Sequence, residues 1–167
     1  MWLDLRDVIE VPGAVKPFET ALDPEPLLTP SILAFRTPPR AVGAVRNTAG
    51  LLALEAELRA DTLCVCDRCG TEFDREKRLT VNAPLSADAE ESDDADVFPL
   101  EGDGIDVAEV LTTCFILDED SKCLCRPDCK GLCPTCGKNL NDGTCGCEKP
   151  RDPRLAVLGQ LLDKDSE

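Results

Sequence analysis

Two stretches of alternating apolar and polar residues lie on either side of a pair of cysteines. From Leu52 to Ala60 every second residue is Leu or Ala, and most residues between them are charged. After the cysteines, Phe73, Leu79, Val81, Ala83 and Leu85 again fall on alternate positions. A period of two is that of a half-buried strand, although Ala, Leu and Glu favour helix. The pattern predicts a long antiparallel hairpin whose tip, residues 64–70, carries a CxxC motif.

Other parts of the chain predict shorter elements. Apolar residues recur at helical spacing from Val107 to Leu117, which indicates an amphipathic helix over 106–118. Asp152-Pro153 pairs a helix-capping residue with proline at the first helical position, so a short C-terminal helix is expected over 152–167. Short strands are expected at Phe18–Leu22, Ile32–Phe35 and Ala41–Asn47, separated by prolines. The predicted fold class is α+β, with a mainly antiparallel β-sheet, an amphipathic helix, a C-terminal Cys-rich zinc-binding lobe and a short C-terminal helix.

These elements divide the chain into consecutive parts. Residues 86–105 are rich in Asp and Glu and cannot bury enough apolar surface to offset their ordering entropy, so they are expected to form a flexible acidic loop. The predicted order is a β-rich part (1–85) with a zinc-knuckle hairpin tip (64–70), the acidic loop (86–105), the helix (106–118), the zinc-binding lobe (119–151) and the C-terminal helix and tail (152–167).

The charge balance restricts the possible partners. The chain has 18 basic and 33 acidic residues, no histidine and a net charge of -15, so as a whole it repels bare nucleic acid over long range. No apolar run is long enough to cross a bilayer, and the N-terminal residues do not form a signal peptide. The expectation is a protein of a reducing cytoplasm, without membrane contact, whose clustered thiols bind metal and do not pair as disulfides.

Seven of the eleven cysteines fall between Cys123 and Cys147. Within this segment Cys133-Pro-Thr-Cys136-Gly has the form of a zinc knuckle, in which two thiolates three apart are followed by a glycine at a tight turn. Asn141-Asp142-Gly143 is a turn signal that can bring Cys145 and Cys147 back to this knuckle. Soft thiolate ligands at this spacing favour zinc.

The cysteines can be divided into two sets of four. A structural zinc needs four ligands, and the absence of histidine leaves only thiolates for this role. If one site uses the C-terminal four, the hairpin knuckle can be completed by the CxxxC pair before them. A different division, in which Cys129 joins Cys133 and Cys136, is compatible with the spacing. Cys64, Cys114 and Cys123 stay outside the preferred division. The predicted metal ligands are Cys66, Cys69, Cys125 and Cys129 at one site, and Cys133, Cys136, Cys145 and Cys147 at the other, which is the better supported of the two.

The residues give no support to catalysis. The chain has no histidine to act as the base of a hydrolytic triad, and no glycine-rich phosphate loop follows a strand. The carboxylates show no pairing beyond that of a solvated acidic surface. The expectation is a non-enzymatic protein without a small-molecule substrate. Two other classes remain open: a zinc-ribbon nucleic-acid-binding module and a redox-sensing thiol protein.

The motifs resemble those of a known family. CDRCG at the hairpin tip, IDVAEVL, CRPDCKGLCPTCGKNLN and DPRLAVLGQLL, in this order, are similar to the YceD family, over about Leu51 to Leu162. CKGLCPTCGKNLN is the most specific part of this resemblance. The resemblance implies a bacterial, cytoplasmic, non-enzymatic factor that supports accumulation of 23S rRNA or assembly of the 50S subunit.

The charge distribution indicates how such a factor would bind. Residues 122–154 have seven basic against four acidic side chains, whereas the rest of the chain is strongly acidic. We therefore expect the acidic part to contact a basic ribosomal protein or a pre-50S particle. Direct rRNA contact by the lobe is a secondary expectation, through Lys122, Arg126, Lys130, Lys138, Arg151 and Arg154.

Overall fold

The structure, a computed structural model, describes residues 1–87 and 97–147. The described chain divides into two compact units. We call the first, Met1–Asp67 with Thr71–Cys125, the body. We call the second, Arg68–Gly70 with Arg126–Glu167, the lobe, of which residues 126–147 are described after the tip. The predicted helix over 152–167 lies outside the described residues.

The body is an α+β unit, as predicted. Its elements in chain order are β1 (Trp2–Asp4), α1 (Arg6–Ile9), β2 (Val15–Ala21), a 3-10 turn (Glu25–Leu27), β3 (Ile32–Phe35), β4 (Arg40–Thr48), β5 (Leu51–Val65), β6 (Glu72–Ser86), β7 (Phe98–Pro99), β8 (Gly104–Asp106) and α2 (Val107–Leu117).

The hairpin of β5 and β6 is the centre of the main sheet. The two strands pair antiparallel without interruption from Leu52↔Leu85 to Val65↔Glu72. The strand order is β2-β4-β5-β6-β7, and β3 also pairs with β5 near the hairpin tip. β7 joins β6 in parallel, whereas the other pairs of this sheet are antiparallel. The predicted hairpin is therefore confirmed, with residues 66–71 at its tip.

Alternation along the hairpin creates the apolar core. Leu54, Leu58 and Val81 point inward and are almost fully buried, while the charged residues between them stay exposed. Helix α2 contributes Phe115, which has no exposed surface and lies 6.1 Å from Phe35, measured between ring centroids. Asp106 begins this helix by accepting hydrogen bonds from the amides of residues 108 and 109.

The turn between β4 and β5 is stabilised by one buried amide. Ala49 and Gly50 both have positive φ, as a two-residue hairpin turn of type I′ requires. Asn47, 2% exposed, accepts a hydrogen bond from the Gly50 amide and donates to the carbonyls of Val8 and Ile9. The same side chain thus joins the turn to helix α1.

The prediction of a flexible loop throughout 86–105 is wrong for its second half. Residues 98–99 and 104–105 belong to strands β7 and β8, and β8 pairs with β1 through Leu3↔Ile105. Leu100 and Ile105 are buried, so the apolar residues scattered among the acidic ones anchor this segment. Residues 88–96 lie outside the described chain.

Candidate metal centres

The lobe brings together the sulphurs of Cys133, Cys136, Cys145 and Cys147. All four Sγ atoms lie within 4.8 Å of one another. In a tetrahedral zinc site with Zn–S bonds of about 2.3 Å, the sulphurs are about 3.8 Å apart. The observed upper limit on the Sγ–Sγ distances is therefore compatible with one ion bound by all four sulphurs.

A knuckle in the backbone positions the first two of these sulphurs. The Gly137 amide donates to the Cys133 carbonyl at 2.9 Å, and the Cys133 amide donates to the Lys138 carbonyl at 2.8 Å. Gly137 has a φ of +72°, a conformation that L side chains rarely adopt. The Lys138 ammonium donates to the Thr144 carbonyl at 3.0 Å, and this bond joins the knuckle to the segment that contains Cys145.

Electrostatics favour a cation at the centre of these thiols. The pKa of Cys133 is lowered to about 6, first by the backbone amide of Cys136 and then by that of Thr135 and the Cys145 thiol. The pKa of Cys147 is raised to about 12, first by its hydrogen bond with Cys136 and then by desolvation. One thiol thus ionises readily and another resists further negative charge. A divalent cation bound among the four sulphurs would offset the negative charge of their thiolates.

The second group consists of Cys66, Cys69, Cys125 and Cys129, whose Sγ atoms also lie within 4.8 Å of one another. Three of these residues are buried and Cys125 is half-buried. Residues 66–70 repeat the knuckle pattern, because the Cys66 amide donates to the Thr71 carbonyl at 3.0 Å and Gly70 has a φ of +69°.

Within the lobe, Arg68 and Asn141 hold the backbone around Cys129. Arg68 Nη1 donates to the Cys129 carbonyl at 3.0 Å, and the Leu132 amide donates to the Arg68 carbonyl. Asn141 Nδ2 lies 3.4 Å from the Cys129 sulphur as a donor, and its Oδ1 accepts from the Lys130 amide. A donor to a ligand sulphur offsets thiolate charge and fixes the ligand's position.

Gly131 is required for the close approach of these segments. Its φ is +74°, and a Cβ at this position would come within 3.0 Å of the Arg68 carbonyl oxygen. From the sequence, Asn141 was predicted only as a turn residue, and no role was predicted for Arg68. Arg68 lies inside the Cys66–Cys69 motif, a position where a polar residue can partner the ligands, whereas Asn141 lies beside neither CxxC motif.

The three remaining cysteines lie outside both groups, as the preferred division predicted. Cys64 and Cys123 are buried in the body, and burial followed by the nearby Cys64 raises the pKa of Cys123 to about 11. Cys114 is half-buried on α2, and desolvation raises the pKa of its thiol. The alternative in which Cys129 joins Cys133 and Cys136 is not the arrangement seen. The metal itself stays a prediction.

The basic residues of the lobe do not form a strongly positive surface. Residues 126–147 carry Arg126, Lys130 and Lys138 against Asp128 and Asp142. Arg126 Nε lies 3.7 Å from Asp128 Oδ1, so this pair of charges is partly neutralised. A zinc bound by four thiolates adds a charge of about −2, which would make this part slightly negative. Lys122 belongs to the body and is exposed, whereas Arg151 and Arg154 lie outside the described residues.

In the described ranges 1–87 and 97–147, no helix has both the length and the apolar character needed to cross a membrane.

Fold and site together define an α+β protein with two four-cysteine clusters, each able to hold a metal ion. The sequence profile described as "Large ribosomal RNA subunit accumulation protein YceD" matches residues 54–162, about two thirds of the chain. The chain belongs to the YceD family, and the resemblance seen in its motifs is confirmed.

The individual relatives share limited identity with this chain. Uncharacterized proteins of Mycobacterium tuberculosis and Mycobacterium bovis are 29% identical over 112 residues, which cover 65% of this chain and 54% of theirs. "Large ribosomal RNA subunit accumulation protein YCED homolog 1, chloroplastic" of Zea mays is 41% identical over 61 residues, 36% of this chain and 20% of the maize protein. The chain thus spans about half or less of the curated relatives it matches. No solved structure matches it significantly.

Proposed function

We propose that this chain is a non-enzymatic, zinc-binding factor that supports accumulation of 23S rRNA and biogenesis of the large ribosomal subunit. The observation that carries the proposal is the extent of the family match. Residues 54–162 include almost all of the β5–β6 hairpin, helix α2 and all eight clustered cysteines. The matched profile and the maize relative are both named for accumulation of large-subunit ribosomal RNA.

In this proposal each cysteine cluster holds one structural zinc ion. Four thiolates at this separation form the soft, closed ligand set of a structural zinc site. Such a site has no open coordination position for water or substrate, which supports a role in folding over one in catalysis. Zinc would supply a fixed, four-coordinate cross-link at each knuckle and no reaction chemistry.

The charge of the chain supports a protein partner over naked RNA. The net charge of -15 favours binding to a basic ribosomal protein, or to a pre-50S particle that presents one. RNA contact through Lys122, Arg126, Lys130 and Lys138 is secondary, because the same part of the chain contains carboxylates and the clustered cysteines, whose thiolates would add negative charge. This role places the protein in the cytoplasm.

Deletion of the encoding gene in the source bacterium tests the proposed role. We expect a lowered ratio of 23S to 16S rRNA and a smaller 50S peak in sucrose gradients. Complementation with the unchanged gene should restore both, and a gene carrying Cys133→Ser and Cys136→Ser should restore them less. The matched control is Cys114→Ser, which removes a thiol outside both clusters. Unchanged 23S levels in the deletion strain would contradict the proposal.

Purification of the tagged protein from these cells identifies the partner class. Recovery of pre-50S particles or a basic ribosomal protein supports the proposal. Recovery of RNA alone, with affinity that falls steeply as salt rises, would favour a nucleic-acid-binding module. Loss of metal with disulfide formation under mild oxidant would favour a redox-sensing protein.

A further inference from the structure

The main sheet of the body has two edges that differ in length. The edge strand β2 has seven residues and contains Pro17, a residue that protects edges because it lacks an amide N–H. On the other side, β6 has fifteen residues and pairs with β5 without a bulge. β7 covers only Leu85 and Ser86 of this second edge. Within the described chain, no other strand or backbone hydrogen bond covers residues 72–84.

Three observations identify the backbone groups that face this edge. The Ser86 carbonyl accepts from the Leu100 amide at 3.0 Å, on the side where β7 lies. The Arg75 carbonyl accepts from Thr62 Oγ1 at 2.8 Å, on the side of β5. Backbone groups alternate between the two sides of a strand, so even-numbered residues face outward. Pro84, which has no N–H, falls in this outward set and costs β5 no hydrogen bond.

The open edge therefore offers a regular row of donors and acceptors. From residue 72 to residue 82, each even-numbered residue presents one N–H and one C=O group outward, about 6.8 Å from the next such residue along the strand. This is the pattern that an added strand recognises in β-augmentation. The outward residues are Glu72, Asp74, Glu76, Arg78, Thr80 and Asn82.

The side chains around this row determine which kind of strand fits. Glu72, Asp74 and Glu76 are exposed at alternate positions of the half of β6 nearest the tip. Arg75 and Lys77 are already engaged, because they form ion pairs with Asp120 and with Asp118 and Glu119 of the segment after α2. On the exposed face Asp74 pairs with Arg36 and Glu76 pairs with Arg78, whereas Glu72 lies outside these two pairs. Three carboxylates thus face two cations there, and the chain as a whole is also acidic.

We propose that the outer edge of β6, from Glu72 to Asn82, binds an extended lysine- or arginine-rich polypeptide segment, which adds to the sheet as a strand. Main-chain hydrogen bonds to the even-numbered residues supply the register. Glu72 and the surplus of negative charge around Asp74 and Glu76 select cationic side chains on the exposed face. This inference depends on the sheet edge and not on the ribosomal role, so the failure of either leaves the other standing.

Binding of model peptides to the full, metal-loaded chain tests this proposal. The probe is a fluorescein-labelled eight-residue peptide of alternating Lys and Val, followed by fluorescence anisotropy. We expect it to bind at least tenfold more tightly than the same peptide N-methylated on alternate amides, because methylation removes the edge-pairing hydrogens. A peptide of alternating Glu and Val should not bind. Equal binding of the methylated peptide, or no binding of the Lys–Val peptide, would overturn the proposal.

Variants of β6 locate the binding edge. Thr80→Pro removes one outward N–H at a position equivalent to Pro84 and should weaken Lys–Val binding at least tenfold. The control Thr80→Val keeps the N–H and should leave the affinity unchanged, while Glu72→Gln should weaken it about threefold. Unchanged affinity in a folded Thr80→Pro protein would overturn the proposal; if this variant unfolds, the methylated peptide decides. A dimer that Thr80→Pro abolishes would show that a second copy occupies the edge, which also overturns it.

Discussion

The body and the lobe obtain a buried interior in different ways. The body buries large apolar side chains such as Leu54, Leu58 and Phe115 completely. In residues 126–147 of the lobe, the buried residues are Cys129, Gly131 and Cys133 alone. Leu132 is 46% exposed, although it is one of the two leucines in this segment. The buried interior of residues 126–147 thus consists of sulphur and backbone, and burial of hydrocarbon within this segment cannot account for its fold.

The magnitudes show what must replace an apolar core. Full burial of one large aliphatic or aromatic side chain contributes about 1.5–3 kcal/mol, and the body contains many of them. The lobe has no such contribution among its described residues, whereas a structural zinc provides on the order of 10 kcal/mol of apparent folding free energy in small peptides. A single ion can therefore stabilise a segment of this size.

The largest expected effect is removal of one thiolate from the lobe cluster. Cys136→Ser should lower the zinc content from about two to about one per chain, since a site of three thiolates loses most of its affinity. Elemental analysis of reduced, dialysed protein measures this. Cys114→Ser is the control and should keep both ions, because Cys114 lies on α2 outside both clusters. If Cys136→Ser and Cys114→Ser bound the same amount of zinc, the lobe cluster would not be a zinc site, and the proposed difference between lobe and body would be wrong.

A substitution in the apolar core of the body should lower the stability of the body and leave the lobe cluster intact. Phe115→Ala leaves a cavity beneath α2 and should lower the free energy of unfolding of the body by about 3–5 kcal/mol, measured by urea denaturation. The zinc content of the lobe cluster should not change. Leu117→Ala, at a position 78% exposed, provides the control and should cost little. Loss of zinc in Phe115→Ala would argue that the two regions are not stabilised separately.

A polar substitution tests how far the body depends on buried hydrogen bonds as well. Asn47→Ala removes the donor to the Val8 and Ile9 carbonyls and the acceptor of the Gly50 amide. The cost should be about 1–3 kcal/mol, because buried partners are left unsatisfied. Asn82→Ala, an exposed asparagine on β6, should change the urea midpoint very little. Equal midpoints for the two variants would mean that the turn does not anchor α1.

The smallest predicted effect concerns the start of α2. Asp106→Ala removes the acceptor for the amides of residues 108 and 109 and should cost about 1 kcal/mol, whereas Asp106→Asn should recover most of this. Thermal unfolding followed by circular dichroism measures the difference. Asp103→Ala, an exposed neighbour with no part in the cap, should match the unchanged protein. A cost above about 3 kcal/mol would indicate a role beyond capping.

Local pattern was enough to predict the elements that one sequence segment determines. The alternation on either side of Cys66 and Cys69 specified both strands of the hairpin, because a period of two has one exposed and one buried face. Helical spacing likewise placed α2 within one residue of its observed start. The hairpin strands and α2 are each specified by local sequence and do not depend on residues far away in the chain.

Strand pairing between distant segments could not be predicted. β1 pairs with β8 across about a hundred residues, from Trp2↔Asp106 to Asp4↔Gly104, and nothing local marks either segment as a strand. The acidic composition of residues 86–105, just before and at the start of β8, predicted a loop instead. The two cysteine sets were assembled by counting four thiolates per ion, and the structure brings together the same sets. The roles of Arg68 and Asn141 emerged only from the fold.

Hydrogen exchange of the lobe, with metal present and after its removal under reducing conditions, tests the central claim most directly. If metal-bound sulphur replaces an apolar core, the amides of Leu132, Cys133 and Gly137 should be protected in the loaded protein and should exchange rapidly once the metal is gone. Amides of β4 and of the β4-facing half of β5 should keep their protection throughout. Equal protection of the lobe amides in the two states would contradict the account.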